Sequence, residues 1–568
     1  MAAGRANFEI QTFRDGHWVT SDFRETELTA RAQAKQILAK PDCQGVRVVK
    51  NWTRADGLVT ETVVATELRD AVAPRVTIVP IDESPYCQQT QDYYRLNSRA
   101  TINRLLRKYV DQVFLTPTEL IHHYKSLKRL LEVETLFPAA VDRIAAIQAR
   151  DNGLELRGRR DDIFRSVAQM SDRARRADEF SRLPKLSGND FDSLCERLEH
   201  IVPPGESHFY ALVLLSRELV KHRNWLSKLE RLVAFTHPDQ QAPVMLLLDG
   251  VIADIFGVAS ALQDVLGYQR NLAEAICALL DLYEGRAAPG KGDAGEQIAI
   301  IAPMIADGRL SETRQSLLDR VLRQLASAQP LSRNDPSLER DAFRQVARRL
   351  FRSGDLLGGA DAAEALARRY VYLQEAGGRL GLRRAVSGVI SLVDDPLFAV
   401  VFLSHLAQGR LAADLKDEIA TQFRQTLSVA SLDALVPPGA SQEEHLALGT
   451  ALYGKVTTSA VVTGDDRVGL LDHLDRLLCL YLKGKRVIEK MDDPTATLLE
   501  RATRLIEFCA SDLLPANSRA AAATRGRVVA LLKQPNFETH LIAGVSDAGA
   551  REEVLRRFHA LLERAGFR

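Results

Sequence analysis

Phosphate chemistry is the first possibility the residue types raise. Gly285-Arg-Ala-Ala-Pro-Gly290-Lys291 fills seven places of the loop whose backbone N–H groups cradle a nucleotide's phosphates. The eighth place, where a Ser or Thr hydroxyl must ligate magnesium, is Gly292. Such a loop also follows a buried strand, whereas Leu279 to Tyr283 reads as the end of a helix. The segment is a Gly/Ala-rich linker.

Metal chemistry fares no better. His122-His123 is the one adjacent histidine pair, with Glu119 three residues before His122. A di-iron bundle needs two Glu-x-x-His elements and two further Glu on facing helices, and this element stands alone. The His-Glu-x-x-His zinc signature is absent. On a helix starting at Pro117, His122 points away from the Leu120/Tyr124/Leu127 stripe and reads as solvated, with His123 bordering the stripe. Cys43, Cys87, Cys195, Cys277, Cys479 and Cys509 have no Cys-x-x-Cys spacing, so they read as idle thiols in a reducing compartment. No metal and no other cofactor is expected.

Nucleophilic catalysis lacks its local aids, a Gly-x-Ser-x-Gly elbow and a strand–turn–helix to hold it. Gly354 to Gly359 lies between helices, outside the βαβ setting of a dinucleotide loop. No catalytic residue is assigned. An all-α enzyme with a dispersed site stands as an alternative reading, since triads assemble from distant positions.

Arginine comes in clusters: Arg157, Arg159 and Arg160; Arg173, Arg175 and Arg176; Arg348, Arg349 and Arg352; Arg383 and Arg384. Most stand beside acids and read as solvated or salt-bridged faces. Arg99, Arg104, Arg107 and Lys108 are the least balanced group, forming one basic helix face opposite Ile102, Leu105, Leu106 and Val113. They are the candidate contacts of a second alternative, an RNA or polyanion binder. Against it, 75 Lys+Arg are offset by 74 Asp+Glu for a net charge of +1, without the excess of base such a binder shows. A nucleic-acid partner is not expected.

These residues need elements to hold them. The charged fraction of 26% and apolar fraction of 46% are those of a folded globular chain, and 568 residues make room for about three or four domains. Phe8, Ile10 and Thr12 alternate with Glu9, Gln11 and Phe13, the period of a half-buried strand. Asp15-Gly16 suits a two-residue hairpin turn. That turn sets Phe13 opposite Trp18, Thr12 opposite Val19, Phe8 opposite Phe23 and Glu9 opposite Asp22, a like-charge pair. A helix from Glu27 to Ala39 is stopped by Pro41. Val46 to Trp52 and Val59 to Ala65 add two strands through Asp56-Gly57, with Val76 to Ile81 a further candidate. The result is a ββαββ module whose helix covers the Phe8/Ile10 face. Phe13 and Trp18 on the open face are its candidate partner-binding residues.

From Ser98 onward the pattern is helical. Thr116-Pro117-Thr118-Glu119 is a capped helix start, and X-Pro starts recur at His237-Pro238, Asp335-Pro336, Asp395-Pro396 and Asp493-Pro494. Val436-Pro-Pro-Gly439 echoes Val202-Pro-Pro-Gly205, a helix-ending turn used twice. The fold class is therefore mostly α, a small N-terminal α+β module followed by a long all-α body of helix pairs, packed as bundles or as a solenoid. Composition breaks divide it into 1–82, the α+β module; 83–97, a Pro-containing linker; 98–283, helical; 284–296, the Gly/Ala-rich linker; 297–435, helical; and 436–568, helical.

The first residues lack the apolar core of a secretory signal. No run approaches the ~18 uncharged apolar residues of a membrane span. The best stretch, Ala242 to Leu266, is interrupted by Asp249, Asp254 and Asp264. A cytoplasmic scaffold or adaptor with protein partners is the reading these features favour.

Overall fold

The computed structural model describes residues 5–14, 17–40, 43, 45–53, 59–68, 76–133, 135–186, 188–237, 239–286, 294–333, 335–352, 354–374, 378–436, 439–460, 462–535, 537–543 and 548–567. Asp15-Gly16, Asp56-Gly57, Pro74, Pro238, the 287–293 part of the linker and Pro437-Pro438 lie outside them.

The alternating segments form strands. β1 (Arg5–Arg14), β2 (His17–Arg24), β3 (Gly45–Thr53) and β4 (Val59–Leu68) make one antiparallel sheet in the order β2-β1-β3-β4. The helix α1 (Glu27–Leu38) lies between β2 and β3 in the chain. Its Ala30 and Ala34 pack with Phe8, Ile10, Val46 and Val48, so small residues let the helix approach the large ones of the sheet. Two details depart from simple alternation. A bulge at Ser21 keeps Phe13 opposite Trp18 and Thr12 opposite Val19 but pairs Glu9 with Phe23 and Phe8 with Arg24. The extra residue removes the Glu9/Asp22 clash and transfers Phe23 to the open face. Val76 to Ile81 joins no sheet; the Val79 N–H instead donates to the Leu105 carbonyl at 2.8 Å. Both edges are blunted, β2 by its bulge and β4 by a second bulge at Val64, whose carbonyl accepts from Arg31 at 2.9 Å.

The described residues hold 27 α-helices, α1 included, and beyond the sheet the chain is helical apart from one two-residue ladder, Phe351–Arg352 with Asp355–Leu356. Contacts sort the chain into two compact units, one of 1–90, 104–113 and 125–171, the other of 91–103, 114–124 and 172–568. The expected single helix after Ser98 is two, α2 (Leu96–Leu105) and α3 (Arg107–Val113). The Leu120/Tyr124/Leu127 stripe likewise breaks at His123, whose backbone is extended, between α4 (Pro117–His122) and a helix over Tyr124–Leu131.

The second unit is built on α5 (Ser207–Leu219), α6 (Trp225–Val233) and α7 (Ala242–Gly257). Next come α8 (Leu272–Tyr283), α9 (Ser311–Leu325), α10 (Glu339–Leu350) and α11 (Gly359–Leu373). Then follow α12 (Gly378–Val393), α13 (Pro396–Leu406), α14 (Ala412–Leu427), α15 (Gln442–Thr458), α16 (Gly464–Gly484), α17 (Leu498–Ala510), α18 (Arg519–Leu532) and α19 (Ala548–Arg564), with shorter helices between some of them. Their packing is regular. In one row α8 meets α9, α9 meets α11, α11 meets α13 and α13 meets α15; in the other α10 meets α12, α12 meets α14, α14 meets α16 and α16 meets α18. Rungs such as α11 with α12, α13 with α14 and α15 with α16 join the rows.

Among the described residues no single helix is long and apolar enough to cross a membrane; α7 and the helix Ala259–Leu266 are so only when taken together, and they are bent by 92° at the break between them. The two Val-Pro-Pro-Gly segments share the positive φ of Gly205 and Gly439, 81° and 87°, each just before a helix start.

Candidate functional surfaces and the buried polar hub

The face of the sheet that α1 leaves uncovered carries a cross-strand ladder. Phe13 and Trp18 stand 5.1 Å apart, centroid to centroid, and the Arg47 guanidinium lies 4.7 Å from the Trp18 ring. Arg47 Nε donates to Gln11 Oε1 at 2.5 Å. Glu9 lies in the middle, accepting from Gln11 at 2.7 Å, from Asn51 at 3.1 Å and from Thr20. Burial pushes its carboxyl up, and those donors with the Arg47 charge more than offset it, leaving the group below its ordinary value. Phe23 and Val63 on the same face are exposed, at 52% and 53%. The periodicity identified Phe13 and Trp18; the bulge hid Phe23.

The four residues of the basic face do not act as one. Arg99 is 8% exposed, its Nε on Asp254 Oδ1 at 2.9 Å and its Nη2 on Glu312 Oε2 at 2.5 Å and the Gly250 carbonyl at 3.1 Å. Burial alone would lower its pKa, and the two carboxylates instead hold it above its ordinary value. Arg104 is half-buried. Arg107 and Lys108 are exposed, Arg107 3.7 Å from Asp111 and Lys108 bonded to Thr77. Other arginines of the clusters pair with acids: Arg160 with Asp142, Arg173 with Glu206, Arg175 with Asp172 and Glu179, Arg349 with Asp281.

Arg99 belongs to a hub that its local sequence did not announce. On α7, Asp254 accepts the Thr118 N–H at 2.8 Å and its hydroxyl at 2.6 Å, adding a cap to α4. Asp249 accepts the N–H groups of Glu312 and Thr313 at 2.7 and 2.9 Å. Those are first-turn donors of α9, whose own N-cap Leu310 has no side-chain oxygen to offer. The arrangement recurs. Asp475 on α16 takes Arg519 and Ala520 N–H at the start of α18, and Glu364 on α11 takes Leu411 N–H at the start of α14. At the opposite end of α9, Arg369 from α11 donates to the carbonyls of Gln324 and Leu325, both at 2.8 Å, and of Gln329. A buried cation thus meets the negative end of the helix. Two of the three aspartates that interrupt an apolar stretch in the sequence, Asp249 and Asp254, are caps.

Beside the hub, Glu119 and Lys228 form an ion pair with both side chains fully buried. Burial pushes the Glu119 carboxyl up and the Lys228 ammonium down, while each partner resists. His122 is 2% exposed, which corrects its reading as solvated. Its ring sits 5.3 Å from Tyr94 and 5.0 Å from Phe209, with Nδ1 2.8 Å from the Thr118 carbonyl. Burial lowers its pKa to about 3. Cys195 and Cys509 are unsuited to nucleophilic work at neutral pH, since burial raises them to about 12 and about 11. Among the described residues no cluster of three or more His, Cys, Asp or Glu could hold a metal ion.

No family model, no curated protein and no solved structure matches this chain.

Proposed function

We propose that the protein is a cytoplasmic interaction scaffold in which a helical stack presents surfaces to protein partners and the N-terminal sheet serves as a recognition face. The carrying observation is the two-row order that runs from α8 to α18, in which helices pack on their neighbours in a row and rungs such as α11 with α12 and α13 with α14 join the rows. That is the geometry by which helix-pair solenoids build extended binding surfaces. Phe13, Trp18 and Phe23 add an aromatic patch on a face that no helix covers to the extent α1 covers the other. The capture of Arg99 and of many clustered arginines by acids weighs against the polyanion reading.

The test is a native isolation of the full-length chain with its bound proteins, beside a Trp18→Ala/Phe23→Ser variant. Truncation at Ser98 is a poor choice, because the sheet shares its compact unit with residues 125–171. A scaffold yields stoichiometric partners, at least one of which the double variant loses. Isolation of the chain alone under gentle conditions overturns the reading.

A further inference from the structure

A cleft of about 480 Å³ opens where the start of α8 meets the connection into α10. That size is in the range of sites that bind small groups. Its deeper lining is apolar, with Ala273 at 2% and Ala342 at 8% exposure, and Leu338 stands at its mouth at 49%. Around it lie three carboxylates, Glu274, Asp335 and Asp341, and one cation, Arg270.

Charge selects the occupant. Arg270 is 2.6 Å from Glu274, which cancels both. Asp335 Oδ1 accepts from Ser337, and Asp341 Oδ1 accepts from Arg344, which does not line the cleft. The second oxygen of each aspartate has no donor among the described residues. Several backbone N–H groups beside the cleft that could draw an anion already have acceptors. Asn271 takes the Glu274 N–H at 2.9 Å, and the Glu339 carboxylate takes the N–H groups of Leu331 and Ser332 at 2.9 and 2.6 Å.

We propose that this cleft seats a lysine or arginine side chain of a partner protein. Its alkyl stem would lie on Ala273, Ala342 and Leu338 and its cationic head would reach Asp335 and Asp341. The proposal rests on the scaffold reading and names the chemistry of one of its contacts.

The probe is hexylammonium, an ammonium on an alkyl stem two carbons longer than that of a lysine side chain, titrated into the full-length protein and followed by saturation-transfer NMR, with hexanoate as control. Saturable transfer to the amine methylenes is expected, half-complete at about 1–10 mM as suits so few atoms, with none to hexanoate. Asp341→Lys and Leu338→Ser change exposed side chains, so the fold tolerates them, and each should weaken binding about fivefold or more. Equal binding of hexanoate, indifference to both variants, or no saturation by about 50 mM overturns the proposal. In those cases stoichiometric partners that still co-isolate with Asp341→Lys protein leave the scaffold reading standing. A chain that isolates alone removes the scaffold reading itself.

Discussion

At the scale of single residues, the buried ionisable groups make the sharpest claims. Lys228→Met leaves the Glu119 carboxylate buried without its partner, and breaking such a pair costs about 3–5 kcal/mol. Adding Glu119→Gln removes the stranded charge while keeping an oxygen for the Thr116 N–H, so most of the lost thermal midpoint should return. Failure of the second substitution to restore it would show that the pair is not the cause. His122 carries a pH signature. Its folded value of about 3 lies below the ordinary 6.5, so the unfolded chain takes up the proton first. The contribution of neutral His122 is complete above about pH 6.5 and is lost as pH falls toward 3, by about 1.4 kcal/mol per unit. His122→Phe, which keeps the ring contacts with Tyr94 and Phe209, should flatten the stability profile between pH 6.5 and 4.5 relative to the parent. Equal slopes would place the acid sensitivity elsewhere. None of this was legible beforehand. The His122 environment depends on Phe209 and Tyr94, and the partners of Arg99 lie 155 and 213 residues along the chain. A helical wheel of one segment sees only which side is apolar.

At the scale of elements, local signals worked where the chain caps or alternates for itself. The Thr116 capping box, the helix start at Asp395-Pro396 and the five elements of the α+β module follow from residue order and short spacings. What stayed hidden was supplied by other helices. The sequence offers nothing at Leu310 or Leu411 to start α9 and α14, and the caps arrive from Asp249 and Glu364. Two acids in the 16 residues of α7 were the visible trace of that role, legible as buried charge but not as caps. Asp249→Leu should expose two N–H groups without acceptors, at about 2–4 kcal/mol. Hydrogen exchange should then quicken at residues 311–314, whereas Arg369→Met should quicken it at the other end of α9. Uniform acceleration along α9 in both variants would refute separate end caps. Glycines give an independent check on packing. A Cβ at Gly388 of α12 would overlap the hydroxyl edge of the Tyr370 ring, so Gly388→Ala should destabilise the junction with α11. Gly454, Gly469 and Gly526 have open space around them within helices, and alanine at each should stabilise by about 0.5–1 kcal/mol.

At the scale of the molecule, the row order of the helices has a mechanical consequence. In a stack where each helix touches only its neighbours, stability is a sum of local terms, and damage at one end stays there. A globular core has no such insulation and unfolds as a whole. The far end is convenient for telling these apart. Leu505 on α17 is fully buried among Ala502, Ile506, Val528, Leu531 and Phe537, with Phe558 and Leu561 of α19 alongside. Leu505→Ala removes three heavy atoms from that cluster and should cost about 2–5 kcal/mol there. Hydrogen exchange by mass spectrometry in mild denaturant reads where the loss falls. Protection should drop across α16 to α19 while α7 and α9, anchored to one another through Asp249, keep theirs. Simultaneous loss along α7 to α19 would make the unit one cooperative core, and the extended surface invoked for partner binding would lose its main support. Loss confined to the end would mean that a partner seated on one stretch of the rows could order that stretch alone. Such local ordering would let separate stretches of one chain hold different proteins.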